Sequence, residues 1–229
     1  GSNTGAGTTC SSTADNNDCY QVGETALTLG TLNACGAAST SDVDVSYEFV
    51  FTLQHYADAT DTGSNYAAST WLAKTDVTDS AGAAATQGSD AFEVSSATSL
   101  DVATAFSYGT MALAAVTSSA PALTVTATGN RSMDLNISAD GDMTCTGTGS
   151  TNIPVASGRY FVSSGSETFA SMTPLSTSAS QVEISIARRT SEVSSSAKNL
   201  FWKVTVPSTG VSGTCTNILT LTAIDDESP

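Results

Sequence analysis

Val43-Asp-Val-Ser-Tyr-Glu-Phe-Val-Phe-Thr-Leu53 carries an apolar side chain at 43, 45, 47, 49, 51 and 53, with polar residues at all but one of the positions between. Side chains alternate across a strand but rotate by about 100° per residue in a helix, so eleven residues of period two predict a β-strand with one buried face. The same alternation recurs outward along the chain, at Leu123, Val125 and Ala127, at Met133, Leu135 and Ile137, at Val182, Ile184 and Ile186, and at Leu200, Trp202, Val204 and Val206. A last strand is predicted over 216–224, where Ile218 and Ile224 fall on one face and Leu219 and Leu221 on the other, a pattern suited to cover on both sides. Shorter strands are expected at 25–29, 70–79, 91–94, 99–102 and 159–162. Only 104–116 is ambiguous, and Gly109 interrupts it.

Turn signals punctuate these runs: Thr62-Gly-Ser-Asn65, Thr128-Gly-Asn130, Asp140-Gly-Asp142 and Ser208-Thr-Gly210. Many short strands with turns between them predict an all-β fold, an antiparallel Ig-like or jelly-roll β-sandwich. The small, weakly patterned stretch at 80–90 (SAGAAATQGSD) is the candidate linker. It divides the chain into an N-terminal β domain, 1–90, and a C-terminal β-sandwich domain, 91–229. The alternative is one elaborated jelly roll with that stretch as a surface loop.

Composition narrows the function. Of 229 residues, 71 are Ser or Thr, and 22 acids face 7 bases for a net charge of −15. Such a chain is repelled by nucleic acid and by anionic membrane surfaces, and no apolar run is long enough to span a bilayer. One histidine and seven lysines and arginines leave little material for acid–base or nucleophilic chemistry, so no enzyme is expected.

The five cysteines, Cys10, Cys19, Cys35, Cys145 and Cys215, form no CxxC, and His55 lies far from all of them. Metal ligation by thiolate is therefore not expected, and disulfides in an oxidising, extracellular setting are. The economical pairing is Cys145–Cys215 plus one bridge among the first three. The cysteine left over is either a buried free thiol or an intersubunit bridge. Asn130-Arg-Ser and Asn136-Ile-Ser are glycosylation acceptor sequences.

Several stretches, taken in order, carry a resemblance: Val77-Thr-Asp-Ser-Ala-Gly82, Phe106-Ser-Tyr-Gly-Thr110, Leu123-Thr-Val-Thr-Ala-Thr-Gly-Asn130, Ile153-Pro-Val155, Trp202 through Val206-Pro207, and Gly213-Thr-Cys-Thr-Asn with Thr222-Ala-Ile224. The order resembles secreted β-sandwich proteins of bacterial and archaeal cell surfaces. More distantly it resembles biofilm fibre proteins of the TasA and camelysin type and archaeal bundling pilins. The resemblance implies a filament subunit that passes a strand into the sheet of its neighbour. The first 18 residues depart from it, since they are mostly Ser, Thr, Asn and Asp rather than alternating large apolar residues.

Four kinds of site follow. A donor segment at 19–32 would use Tyr20, Val22, Leu27, Leu29 and Leu32, the only large apolar residues before Val43; the plainer reading is a first strand of its own domain. Calcium, the one cofactor considered, would be held by oxygen-rich turns, best by Asp58, Asp61 and Asn65 or by Asp140 and Asp142; solvated turn carboxylates are the plainer reading. His55 with Asp58 and Asp61 offers no nucleophile beyond what 35 serines supply by chance, and no G-x-S-x-G occurs. Trp71 and Trp202 could stack sugars, but both sit in strand patterns that predict core packing. The expected function is a structural, homopolymeric subunit of an extracellular pilus-like or biofilm-matrix fibre. The alternative is a monomeric adhesin or carbohydrate-binding module.

Overall fold

Threonine and valine at alternate positions suit a pleated, half-wet surface, because the β-branch stiffens the side chain in the extended backbone. The fold follows that bias. The computed structural model describes residues 27–29, 47–49, 52–78, 82–162, 166–191 and 196–226, with the backbone alone described at 27–29, 47–49, 74–78 and 85–90. Among these residues the protein is all-β, with antiparallel pairing throughout and only two three-residue 3₁₀ turns, Val155–Ser157 and Phe169–Ser171. Two compact units divide the chain, one of residues 1–96 with 190–193 and one of 97–189 with 194–229.

In the first unit, β1 (Leu27–Leu29) pairs with β2 (Tyr47–Phe49), and β3 (Trp71–Thr78) pairs with β4 (Ala84–Phe92). The period-two stretch at 43–53 is thus a strand at 47–49, and residues 43–46, 50 and 51 lie outside the described residues. The 80–90 stretch is corrected: most of it is β4, the hairpin partner of β3. Its small side chains conceal the alternation, while the ladder needs only its backbone. Trp71 and Phe92 are opposite one another in that register and stack with ring centroids 6.2 Å apart. Trp71 is completely buried, and its indole N–H donates to the Asp58 carbonyl at 2.9 Å.

The second unit is a sandwich. One sheet has the order β10-β9-β12-β6-β5 and the other β11-β7-β14. The strands are β5 (Leu100–Val102), β6 (Ala122–Ala127), β7 (Met133–Ala139), β8 (Thr144–Cys145), β9 (Gly158–Phe161), β10 (Thr173–Pro174), β11 (Ser180–Ile186), β12 (Ala197–Val204), β13 (Cys215–Thr216) and β14 (Leu219–Asp225). The alternating residues read from the sequence meet in one core: Leu123, Val125 and Ala127, Met133, Leu135 and Ile137, Val182, Ile184 and Ile186, with Leu200 and Trp202. Each large aliphatic side chain so buried contributes roughly 1.5–3 kcal/mol of transfer free energy. Phe106, from the ambiguous 104–116 stretch, stacks on Trp202 at 5.4 Å; that stretch is irregular, not helical.

A separate ribbon pairs β8 with β13, and Cys145 and Cys215 face each other in its register and are bonded. The bridge spans 70 residues of sequence, so in the chain-entropy model it stabilises the fold by about 4 kcal/mol. Gly129 is required by contact rather than by φ. A Cβ there would collide with the Ala97 carbonyl, where Ala97 and Asn130 clasp each other.

Candidate functional site

Two features of the second unit stand apart from ordinary packing: its sheet edges and a buried carboxylate. β14 is the terminal strand of its sheet, bound to β7 along its whole length, and no second strand flanks it among the described residues. The Ile218 carbonyl accepts from Asp140 N–H and Asp226 N–H donates to the Ser132 carbonyl. That parity sends the even-numbered residues' backbone groups to β7 and those of Leu219, Leu221, Ala223 and Asp225 to the outer edge. The side chains of Leu219, Leu221 and Ala223 lean on the core yet stay only half-buried. The cover expected on both faces is absent at the start of the strand, where Ile218 is 67% exposed. A second edge lies along β6. β5 pairs only with Val125, Thr126 and Ala127. Beyond it a depression of about 400 Å³ opens beside Val102, Phe106, Ala122, Leu123 and Thr124.

The buried carboxylate belongs to Asp134. Between Val182↔Leu135 and Ile186↔Met133 the register slips, so Glu183, Ile184 and Ser185 on β11 oppose Asp134 alone on β7. Two backbone N–H groups in this bulge lack ladder carbonyls, and Asp134 Oδ1 accepts both, from Ile184 at 2.9 Å and Ser185 at 2.7 Å. Ser185 is held at φ 47°, a left-handed conformation costly for a residue with a Cβ. Asp134 is completely buried, and its Oδ2 has no hydrogen-bond partner among the described residues. One carboxylate oxygen each of Asp134, Glu183 and Asp226 lie within 4.8 Å of one another. Protonated Glu183 can hydrogen-bond to Asp134; that bond, and then the Asp134 charge, raise the Glu183 pKa above the usual carboxylate value. Arg131 engages the adjacent Asp225 with two nitrogens, at 2.7 and 2.5 Å.

Sequence reading missed this trio. Asp134 occupies an outward, nominally polar position of a regular alternating strand, and its partners come from β11 and from the residue that follows β14, so no local pattern marks it. Of the acidic sets that spacing did favour, Asp61, Asp140 and Asp142 accept hydrogen bonds from protein groups. Asp61 takes the Ser96 hydroxyl at 2.6 Å and its N–H at 2.9 Å; Asp58 is buried beside Trp71; Asn65 is exposed. Asp140 accepts from Ile218 N–H and Asp142 from Val155 N–H, at 2.9 and 2.8 Å. Neither set belongs to a three-acid group among the described residues.

Of the donor residues, Leu27 and Leu29 lie in β1, paired with β2 of the same chain. Tyr20, Val22 and Leu32 fall outside the described residues, as do Cys10, Cys19 and Cys35. Asn130 is 5% exposed and its Oδ1 accepts from Ala97 N–H at 2.7 Å, a placement that opposes a glycan there in the folded chain. Asn136 is half-buried in β7. His55 is exposed and meets the edge of Tyr56. Trp71 and Trp202 are both completely buried, so neither offers a platform for sugar. No described helix is long and apolar enough to cross a membrane. Comparison with protein-family models, with curated proteins and with solved structures returns no match.

Proposed function

We propose that the protein is the structural subunit of an extracellular filament, a pilus-like or biofilm-matrix fibre whose copies join through sheet edges or by strand donation. The observation that carries this reading is β14, seven residues with an unpaired outer edge among the described residues and core-facing Leu219, Leu221 and Ala223 left half-covered. Exposed edges template pairing with another chain, and proteins that must stay monomeric blunt them with lysine, proline or a covering segment. β14 carries neither lysine nor proline. A strand from a second copy laid along it would supply ladder bonds to Leu219, Leu221, Ala223 and Asp225 and close the core beneath. The shortened cover of β6 by β5 supplies a second acceptor of the same kind. The Cys145–Cys215 bridge suits the oxidising exterior this reading requires.

Negative-stain microscopy of the purified chain tests the proposal. Filaments with a regular axial repeat are expected, together with their loss when residues 1–32 are deleted if that segment is the donor. A uniform field of monomers at every concentration overturns it.

A further inference from the structure

We propose that Asp134, Glu183 and Asp226 bind a hard divalent cation, calcium by the chemistry of the donors, which cross-links β7, β11 and the end of β14. The inference is independent of the filament reading. Calcium takes oxygen ligands at about 2.3–2.6 Å, so oxygens sharing one ion lie no more than about 5 Å apart. The three carboxylates already offer one oxygen each within 4.8 Å of one another.

Proximity of acids alone is common on surfaces. The distinguishing fact is Asp134: a completely buried carboxylate whose Oδ1 is committed to two backbone N–H groups while Oδ2 has no partner. A buried charge without a partner is unfavourable, and Glu183 beside it adds like-charge repulsion. A cation at Oδ2 removes both penalties. Two neighbouring bases have partners of their own: Arg131 grips Asp225, and the Lys198 ammonium donates to the Ile184 carbonyl at 2.7 Å.

The donor set selects the ion class. Carboxylate oxygens without imidazole or thiolate favour calcium over zinc. Glu183 is exposed, which leaves one side of the ion to water and suits the larger, flexibly coordinated calcium better than magnesium with its rigid octahedron. A site of three carboxylates with one face open to solvent at Glu183 corresponds to the weak sites of extracellular modules, with Kd of about 10⁻⁴–10⁻³ M. The competing occupant is a proton shared by Asp134 and Glu183, which satisfies Oδ2 without any metal.

Thermal unfolding and calorimetric titration of the full chain decide between them, in chelator and in about 10 mM CaCl₂ or MgCl₂ at constant ionic strength. Calcium is expected to raise Tm by about 5–10 °C, the shift for a ligand near 100 times its Kd acting on a chain of this size. Magnesium should do markedly less. Glu183→Gln, at an exposed position, should weaken calcium binding at least tenfold while the chain still folds. Asp134→Asn keeps the Oδ1 acceptor for the bulge and should lose the response, and Asp61→Asn and Asp142→Asn should retain it. No calcium heat and no Tm shift in the unaltered chain would leave the shared proton as the occupant and overturn the proposal. So would a response that survives both Glu183→Gln and Asp134→Asn, or one lost only with Asp61→Asn or Asp142→Asn.

Discussion

The Tyr108 ring packs edge-on to Phe106 at 5.4 Å, and its hydroxyl is buried without a hydrogen-bond partner among the described residues. Burial alone pushes its pKa well above the ordinary 10.0. Phenylalanine keeps the ring and removes the stranded hydroxyl, so Tyr108→Phe should stabilise the protein by about 1 kcal/mol. The pH dependence has a definite sign. The unfolded chain gives up this proton near pH 10 and the folded chain keeps it, so the native state binds more protons there and stability falls as pH rises past 10. Tyr108→Phe should flatten that fall. Urea midpoints at neutral pH and near pH 10.5 measure both effects, and a less stable variant at neutral pH would mean that the hydroxyl has a partner.

At the scale of the element, the open edge of β14 can be closed without touching its other side. Ala223 directs its N–H outward by the parity of the ladder with β7, and proline is tolerated on an edge strand when the missing N–H faces solvent. Ala223→Pro should cost about 1 kcal/mol or less in a urea melt yet abolish filaments that grow through this edge. Filaments of unchanged length and yield would move the junction elsewhere, the β6 edge being the next candidate.

The same scale shows how far the sequence could be read. β6, β7, β11 and β12 were legible because large aliphatic residues alternate with Ser, Thr, Asn and Glu, and that contrast survives without knowledge of the partner strand. β4 was not, because Ala, Gly, Ser and Thr give no contrast between faces; its place follows from a backbone ladder with β3 that composition does not encode. The bulge at residues 183–185 was illegible for another reason. Val182, Ile184 and Ile186 read as perfect alternation, while the two displaced N–H groups are satisfied by a side chain from a different strand. Acidic spacing along the chain therefore pointed to Asp58, Asp61, Asp140 and Asp142, whereas the carboxylates that meet are brought together only by strand order.

For the whole molecule, charge decides how freely copies approach. With 22 acids against 7 bases each chain carries −15, and like charges repel over the screening length, about 30 Å at 10 mM salt and about 8 Å at physiological ionic strength. The β14 edge itself is nearly neutral until its end, where Asp225 is paired with Arg131. A neighbour docking there meets the repulsion of the rest of the molecule rather than of the contact. Salt removes that long-range part and leaves backbone pairing and apolar closure intact. Filament growth followed by light scattering should therefore start at a concentration about tenfold lower in about 150 mM than in about 10 mM NaCl, a change on the scale of long-range charge effects on association. Monovalent salt suffices for this effect, so replacing NaCl with KCl should make no difference. Growth that weakened as salt rose would mean that opposite charges, not strand edges, hold the copies together.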